Sequence, residues 1–133
     1  MRKEEIKKLL ERSKKFKDAA EFHFSRGDFD LAVFNLEQSL QLFLKGMLLK
    51  KGIEFPKAHT LRKLFSLLGE GLKNSKEFKE FIAKNSLEFA SLEDAYITAR
   101  YFLRDFEKEE SERLKKFAEE VENFVRRYFD QRS

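Results

Sequence analysis

Apolar residues recur at three- and four-residue steps along almost the whole chain, which is the spacing of the buried face of an α-helix. The spacing predicts a first helix over residues 2–25 and a second over residues 29–51. With five Gly and one Pro, turn-rich β structure is disfavoured. The sequence therefore predicts an all-α bundle of about five helices. Its later parts are a short helix after Thr60, helical runs over residues 75–84 and 87–106 with a break near Asn85-Ser86, and a last helix carrying residues 114–129.

Small and polar residues mark the ends of several predicted helices. Gly27 suits the left-handed conformation that often ends a helix, and Asp28 suits the cap of the next one. The first two helices are therefore expected to form a hairpin. Thr60 is placed to cap the third helix, and Gly69 and Gly71 are placed to close it.

The second predicted helix is apolar over most of its circumference, which is typical of a central helix or of one at an interface. Its polar residues Gln38, Gln41 and Lys45 fall within about 60° of one another at 100° per residue. This polar ridge is open to three interpretations: a solvated strip, a polar seam against the following loop, or the floor of a groove. Because a bundle of this size can leave one side of such a helix uncovered, we also expect a homodimer.

Composition narrows the class of protein. A chain of 133 residues with 41% apolar and 39% charged residues is expected to fold as a single domain over residues 1–133. The lack of Cys excludes disulfides, thiolate catalysis and cysteine zinc sites. Residues 1–8 are charged and no apolar stretch approaches the ~20 residues of a membrane span, so we expect a cytoplasmic protein. Abundant Lys and Glu without Cys matches the composition of hyperthermophiles, so a thermophilic source is expected.

Motifs of several common enzyme classes are missing from the sequence. It contains no Gly-rich phosphate loop, no H-E-x-x-H and no G-x-S-x-G. Its two His residues, His23 and His59, are far apart, so we expect neither a metal site nor a cofactor. The net charge of +4 is small, so local patches of charge matter more than the total.

One helical face carries candidate phosphate-binding residues. Tyr96, Arg100 and Arg104 are spaced four apart, which places a phenol and two guanidiniums where they could hold a phosphate. An ordinary explanation competes with this one. Glu93 and Glu107 lie near the two Arg residues in sequence, so surface ion pairs would account for the same pattern.

The two His residues have different sequence contexts. His23 falls on the apolar stripe of the first helix, which favours a packed, hydrogen-bonded histidine over a catalyst. His59 lies in the loop after Pro56, directly before a predicted helix. It either caps that helix or faces a ligand, and both interpretations stay open.

Two signatures in this sequence point to a known family. Residues 26–39 read R-G-D-F-D-L-A-V-F-N-L-E-Q-S, and residues 92–101 read L-E-D-A-Y-I-T-A-R-Y, a tyrosine followed by an Arg-Tyr pair. Between them stand Leu44-Lys45-Gly46, Gly52, Pro56, His59 and Leu61. In this order the signatures resemble those of the HEPN domain (higher eukaryotes and prokaryotes nucleotide-binding), and the resemblance extends over residues 19–129.

The resemblance implies an up-and-down bundle of about five helices, commonly a homodimer and often encoded beside a minimal nucleotidyltransferase as a toxin–antitoxin-like pair. Many HEPN proteins are metal-independent ribonucleases that use an Arg, four to six further residues, and a His. Counted from Arg100, that His would stand at residues 105–107, which here are Asp, Phe and Glu. Loss of the imidazole is expected to lower the rate at which a ribose 2′-hydroxyl attacks phosphate by roughly two to four powers of ten. The chain also departs from the family's more usual Ala, Glu and Pro at Ser39, Gln41 and Phe102.

These features predict a non-catalytic HEPN domain protein that binds a nucleotide or RNA, or that acts as the substrate-binding partner of a minimal nucleotidyltransferase. The alternative is a HEPN ribonuclease toxin with a degenerate active site, whose base is supplied by His59 across a dimer cleft. No catalytic residue is assigned. The expected binding residues are Arg100, Tyr96, Arg104, Tyr101, Lys45, Gln38 and His59.

Overall fold

A computed structural model describes residues 2–57, 60–98 and 105–130 of the chain. The all-α prediction is confirmed, and within these ranges there are six helices rather than about five, with the predicted break present at Asn85 between two of them. The Asn85 side chain donates a hydrogen bond to the carbonyl of Phe81 at 2.9 Å and so closes the earlier helix. The helices are α1 (Arg2–Arg26), α2 (Phe29–Lys50), α3 (Leu61–Gly71), α4 (Ser75–Lys84), α5 (Ser86–Thr98) and α6 (Lys108–Asp130).

The run predicted over residues 87–106 is wrong at its far end. Residues 105–107 are not helical, and they lead directly into α6. Phe106 in this segment is only 6% exposed and packs into the hydrophobic core. Phe106, which helical spacing assigns to a helix, is thus buried although it lies in an irregular segment.

The backbone of the turn between α1 and α2 has the predicted conformation. Gly27 has φ +76°, the left-handed geometry expected of a residue that ends a helix. Asp28 occupies the cap position of α2, but its side chain makes no capping hydrogen bond. Its backbone N–H instead donates to the carbonyl of His23 at 2.9 Å. At α3 the predicted cap is present, because the Thr60 hydroxyl accepts from the Lys63 N–H at 3.1 Å.

Gly69 does not close α3, so that part of the prediction is wrong. A Cβ atom at Gly69 would lie 2.6 Å from the Cβ of Phe78, so the glycine allows α4 to approach α3 closely. The helix ends at Gly71, and the left-handed residue of the turn is Lys73, with φ +61°.

Helix α2 runs through the centre of the bundle. It packs against α1, α3, α5 and α6, and more than half of its residues are buried. The chain's own helices therefore cover most of α2, and its apolar surface does not by itself require a second copy. Homodimerisation stays a prediction. Around α2 the core is rich in aromatic rings contributed by α3, α4, α5 and α6: Phe65, Phe78, Phe81, Phe89, Phe117 and Phe124.

The long contact between α1 and α2 depends on small residues. A Cβ atom at Gly46 would lie 2.8 Å from Cδ2 of Leu10, so only glycine leaves room for the Leu10 side chain in its present position. Farther along the same contact, Ser13 and Ser39 are both buried and exchange hydrogen bonds. None of the helices in the described ranges is long and apolar enough to cross a membrane.

Candidate functional site

A groove of about 500 Å³ lies between α2, the start of α3 and the outer face of α5. Its polar floor includes Glu37 and Gln41 of α2 and Arg62 of α3. Tyr96 and Ile97 of α5 add apolar surface, and they are 36% and 55% exposed. The volume falls in the range of small-ligand sites, which combine apolar walls with a few placed polar groups.

Glu37 is the most unusual residue of the groove, because its carboxylate is buried in the bundle and the side chain is only 2% exposed. Oxygen Oε1 accepts a hydrogen bond from Nε2 of Gln38 at 2.8 Å, and Oε2 accepts one from Nε2 of Gln41 at 2.7 Å. Burial raises the pKa of Glu37 from its ordinary 4.5 to about 7, although the two amides and the charge of Lys45 act to lower it. The carboxyl group therefore titrates near neutral pH.

A two-pronged ion pair joins α3 to α5 at the edge of the groove. The Arg62 guanidinium donates to the Glu93 carboxylate from Nη2 at 2.6 Å and from Nε at 3.1 Å. The backbone N–H of Arg62 donates to the same carboxylate at 3.0 Å, at the first turn of α3. These hydrogen bonds raise the pKa of Arg62 above its usual value. The pair fixes the spacing of the two helices that border the groove.

The Tyr96 ring of the apolar wall is paired with an aromatic ring of α2. The rings of Phe34 on α2 and Tyr96 on α5 are almost parallel, with an interplanar angle of 12° and a centroid separation of 6.4 Å. Helical spacing places Phe34 one turn before Gln38 and two turns before Gln41 on the same side of α2. Tyr96 is the member of this pair that lines the groove, so its ring adds aromatic surface beside the polar floor.

The groove is acidic in its described lining. Three carboxyl side chains, those of Glu37, Glu93 and Asp94, line it together with a single guanidinium, Arg62, which is bound to Glu93. A free phosphate would meet more negative than positive charge here. The lining suits the uncharged or amine-bearing part of a ligand.

The structure places some of the predicted binding residues near this groove. Tyr96 lines it, and Gln38 contacts Glu37 beneath it. Lys45 lies within electrostatic reach of Glu37, and its ammonium is 5.4 Å from the centre of the Phe55 ring. Burial lowers the pKa of Lys45. The other predicted residues, His59, Arg100, Tyr101 and Arg104, lie outside the described residues, as does Phe102.

Two further predictions can be compared with the described contacts. Glu93 is bound to Arg62, a partner that the sequence did not suggest. His23 is packed edge-on against Phe22, but its Nδ1 is buried without a hydrogen-bond partner in the described part of the chain. The carboxylate of Asp28 lies 3.8 Å from that nitrogen. His23 is therefore packed as predicted, while its Nδ1 makes no hydrogen bond within the described residues and lies near a carboxylate instead.

Sequence reasoning missed Glu37 as the centre of the polar ridge. The signal was available, since Glu37 is an acidic residue within an apolar run and stands four and eight positions before Gln41 and Lys45. That spacing places the three side chains on one side of the helix. No group of three or more acidic or His side chains in the described ranges is arranged to hold a metal ion.

Comparison with known proteins identifies the family. The sequence model described as HEPN domain matches residues 6–128, which is nearly the whole chain of 133 residues. The match includes most of α1 as well as the two signatures. Comparison with curated proteins gave no match, and comparison with solved structures gave none. The family match covers far more than half of the sequence, and the chain therefore belongs to the HEPN domain family.

Proposed function

We propose that this protein is a non-catalytic HEPN domain that binds a nucleotide or a single-stranded RNA. The observation that carries the proposal is the position of Tyr96 and Ile97, which line the groove and shortly precede Arg100 in the sequence. A nucleotide needs an aromatic or apolar surface for its base and cations for its phosphate. The groove offers the first, and Arg100 and Arg104 of the family signature are proposed to supply the second.

The sequence and the described segment before α6 support a binding rather than a catalytic role. The family's catalytic His would stand at residues 105–107, and none of the three is a His. Asp105 and Glu107 are exposed, and Phe106 is buried in the core. A buried phenyl ring can neither accept nor donate the proton of a ribose hydroxyl.

Isothermal titration with ATP and with a short single-stranded RNA tests this proposal. We expect binding of at least one ligand, and we expect Arg100→Ala to weaken it by tenfold or more through loss of a charged contact. Arg113→Ala, which removes an exposed cation from α6, is the matched control and should bind as the wild type does. The absence of detectable binding to either ligand would overturn the proposal.

A minimal nucleotidyltransferase is the proposed protein partner, and a homodimer is the proposed assembly. Titration of the protein with such an enzyme tests the partnership, and the absence of a heat signal would overturn it. Light scattering on a size-exclusion column tests the assembly. A mass near the 15.9 kDa of one chain would contradict the homodimer.

A ribonuclease with a degenerate site is the second candidate, and the observation that favours it is the Glu37 carboxyl. Its pKa of about 7 suits a general base at neutral pH, but both of its oxygens accept amide hydrogen bonds and the residue is 2% exposed, so the Gln38 or Gln41 amide would have to move before it could reach a ribose hydroxyl. Under this alternative, purified protein would cleave single-stranded RNA, and Glu37→Gln would abolish the cleavage. If His59 is the base instead, His59→Ala would abolish it. Intact RNA after hours of incubation would remove the alternative.

A further inference from the structure

The orientation of the Gln41 amide determines what the groove offers to a ligand. A carboxylate only accepts hydrogen bonds, so the nitrogen of Gln41 must face Glu37, at 2.7 Å from Oε2. The oxygen of a planar amide points away from the group that its nitrogen contacts. Because Gln41 lines the groove, we infer that its oxygen is presented there as a hydrogen-bond acceptor.

Glu37 and Gln38 keep the amide in this orientation. Oε1 of Glu37 accepts a hydrogen bond from Gln38, and Glu37 is almost completely buried. Gln41 is therefore the amide that both contacts Glu37 and lines the groove. Glu93 and Asp94 also line the groove, and both oxygens of Glu93 already accept from Arg62. The Gln41 oxygen is therefore the acceptor on which the choice of ligand depends, and a ligand that matches it must bring a donor.

The apolar side of the groove limits the ligand's shape. The partly exposed ring of Tyr96 offers a flat surface, and the exposed aliphatic side chain of Ile97 lies next to it in the lining. A planar heteroaromatic ring matches such a surface because aromatic rings stack favourably in offset arrangements. The ligand that fits both sides is flat and carries a hydrogen-bond donor on its edge.

We propose, resting on the nucleotide-binding function above, that the groove selects a base with an amine at position 6 of a purine or position 4 of a pyrimidine, adenine or cytosine, over the corresponding base with a carbonyl oxygen at that position. In the amine-bearing base, the N–H groups donate to the Gln41 oxygen. In hypoxanthine or uracil, a carbonyl oxygen stands at that position and would face the Gln41 oxygen, and the neighbouring ring N–H could donate only if the base shifted within the groove. A site built to accept a hydrogen bond discriminates against a ligand that cannot donate it from the same position.

Two pairs of nucleotides test the selection with sugar and phosphate held constant. AMP and IMP differ at the amine of a purine and the ring nitrogen beside it, and CMP and UMP differ at the amine of a pyrimidine and the ring nitrogen beside it. Titrations at pH 8.5 keep Glu37 mostly as the carboxylate that orients Gln41. We expect AMP to bind about tenfold or more tightly than IMP, and CMP to exceed UMP by a similar factor, since one hydrogen bond is exchanged for a repulsive contact.

A pair of variants assigns the preference to the groove. Gln41→Met keeps the length of the side chain but removes the acceptor, and we expect the AMP-to-IMP ratio to fall to about one. Asn35→Leu removes an amide from the same helix at a position outside the groove lining and should keep the wild-type ratio. Circular dichroism checks that both variants are folded, and the ligand pairs measured on the wild type do not depend on either variant.

Each outcome separates the selection from nucleotide binding in general. Equal affinity for all four nucleotides, or a preference for IMP and UMP, would overturn the selection and leave the proposed binding function intact. No affinity for any mononucleotide or for RNA would overturn both. A preference for AMP and CMP that survives in Gln41→Met would place the discrimination elsewhere and overturn this assignment of the groove.

Discussion

Ser39 and Glu37 stand two residues apart in α2, face different parts of the bundle, and satisfy their buried polar atoms in different ways. Ser39 faces α1, where its hydroxyl donates to the Ser13 carbonyl at 2.8 Å and the Ser13 hydroxyl donates to the Ser39 carbonyl at 2.7 Å. Glu37 faces the groove side, where two neutral amides donate to its carboxylate. The first contact joins two neutral hydroxyls to backbone, and the second buries an ionisable group.

The difference bears on the role of each contact. Neutral hydroxyls with paired hydrogen bonds stabilise a helix contact at any pH. A buried carboxyl with a raised pKa makes folding less favourable wherever it is charged, and such groups are concentrated at functional sites. We therefore interpret the Ser13–Ser39 contact as structural and Glu37 as a residue retained for the groove.

The largest predicted effect is that Glu37→Gln stabilises the protein at alkaline pH. The pKa of Glu37 is about 7 in the folded chain against an ordinary 4.5. Its contribution to stability is therefore fully present below pH 4.5 and is lost as the pH rises through 7. At about 1.4 kcal/mol per pH unit, the loss is about 3 kcal/mol. Glutamine does not titrate, so the variant should be more stable than the wild type by up to that amount at pH 8.

Urea denaturation followed by circular dichroism at pH 4.5, 6, 7 and 8 measures this difference. Subtracting wild type from variant removes the contribution of every other titrating group. The excess stability of Glu37→Gln should grow between pH 4.5 and 8. A difference that stays constant over this range would show that burial of the carboxyl does not raise its pKa.

A smaller effect is predicted on the other side of α2. Ser13→Ala and Ser39→Ala should each lower the free energy of unfolding by about 1 kcal/mol, because each loses one buried hydrogen bond to backbone. The two hydroxyl oxygens are also 3.2 Å apart, so the double variant should cost less than the sum of the single variants. The same urea experiment measures all three.

The serine variants also serve as the control for Glu37. Their loss of stability should be the same at pH 5 and pH 8, and nucleotide affinity should not change, because neither residue lines the groove. Strict additivity, or a strong dependence on pH, would contradict the interpretation of a neutral structural contact.

The sequence predicted the helices better than it predicted their contacts. Periodicity located α1 and α2 to within one residue at each end, because a stripe of apolar residues is a local property. Gly69 was assigned to a helix end because glycine often stands there, whereas its role depends on Phe78 of a different helix. Which element approaches a glycine is not encoded within the few residues around it.

The candidate site shows the same limit. Gln38, Gln41 and Lys45 were recognised as one ridge from spacing alone, but spacing did not show that they surround a buried carboxylate. Burial of Glu37 results from the packing of α3 and α5 against α2, and Arg62 and Glu93 meet across 31 residues of sequence. Likewise, the sequence around Ser39 did not show that this residue pairs with Ser13, 26 residues earlier.

The smallest predicted effect concerns the charge of Lys45. Its ammonium lowers the pKa of Glu37 without contacting the carboxylate directly, so Lys45→Met should raise that pKa further. Because partly hydrated surroundings screen the charge of Lys45, its removal is expected to shift the titration midpoint of Glu37 by about half a pH unit. Carbon-13 NMR of the Glu37 carboxyl measures the midpoint, and Lys50→Met, at the exposed end of the same helix, is the control. An equal shift in both variants would mean that net charge acts on Glu37, whereas a shift in Lys45→Met alone assigns the effect to the polar ridge.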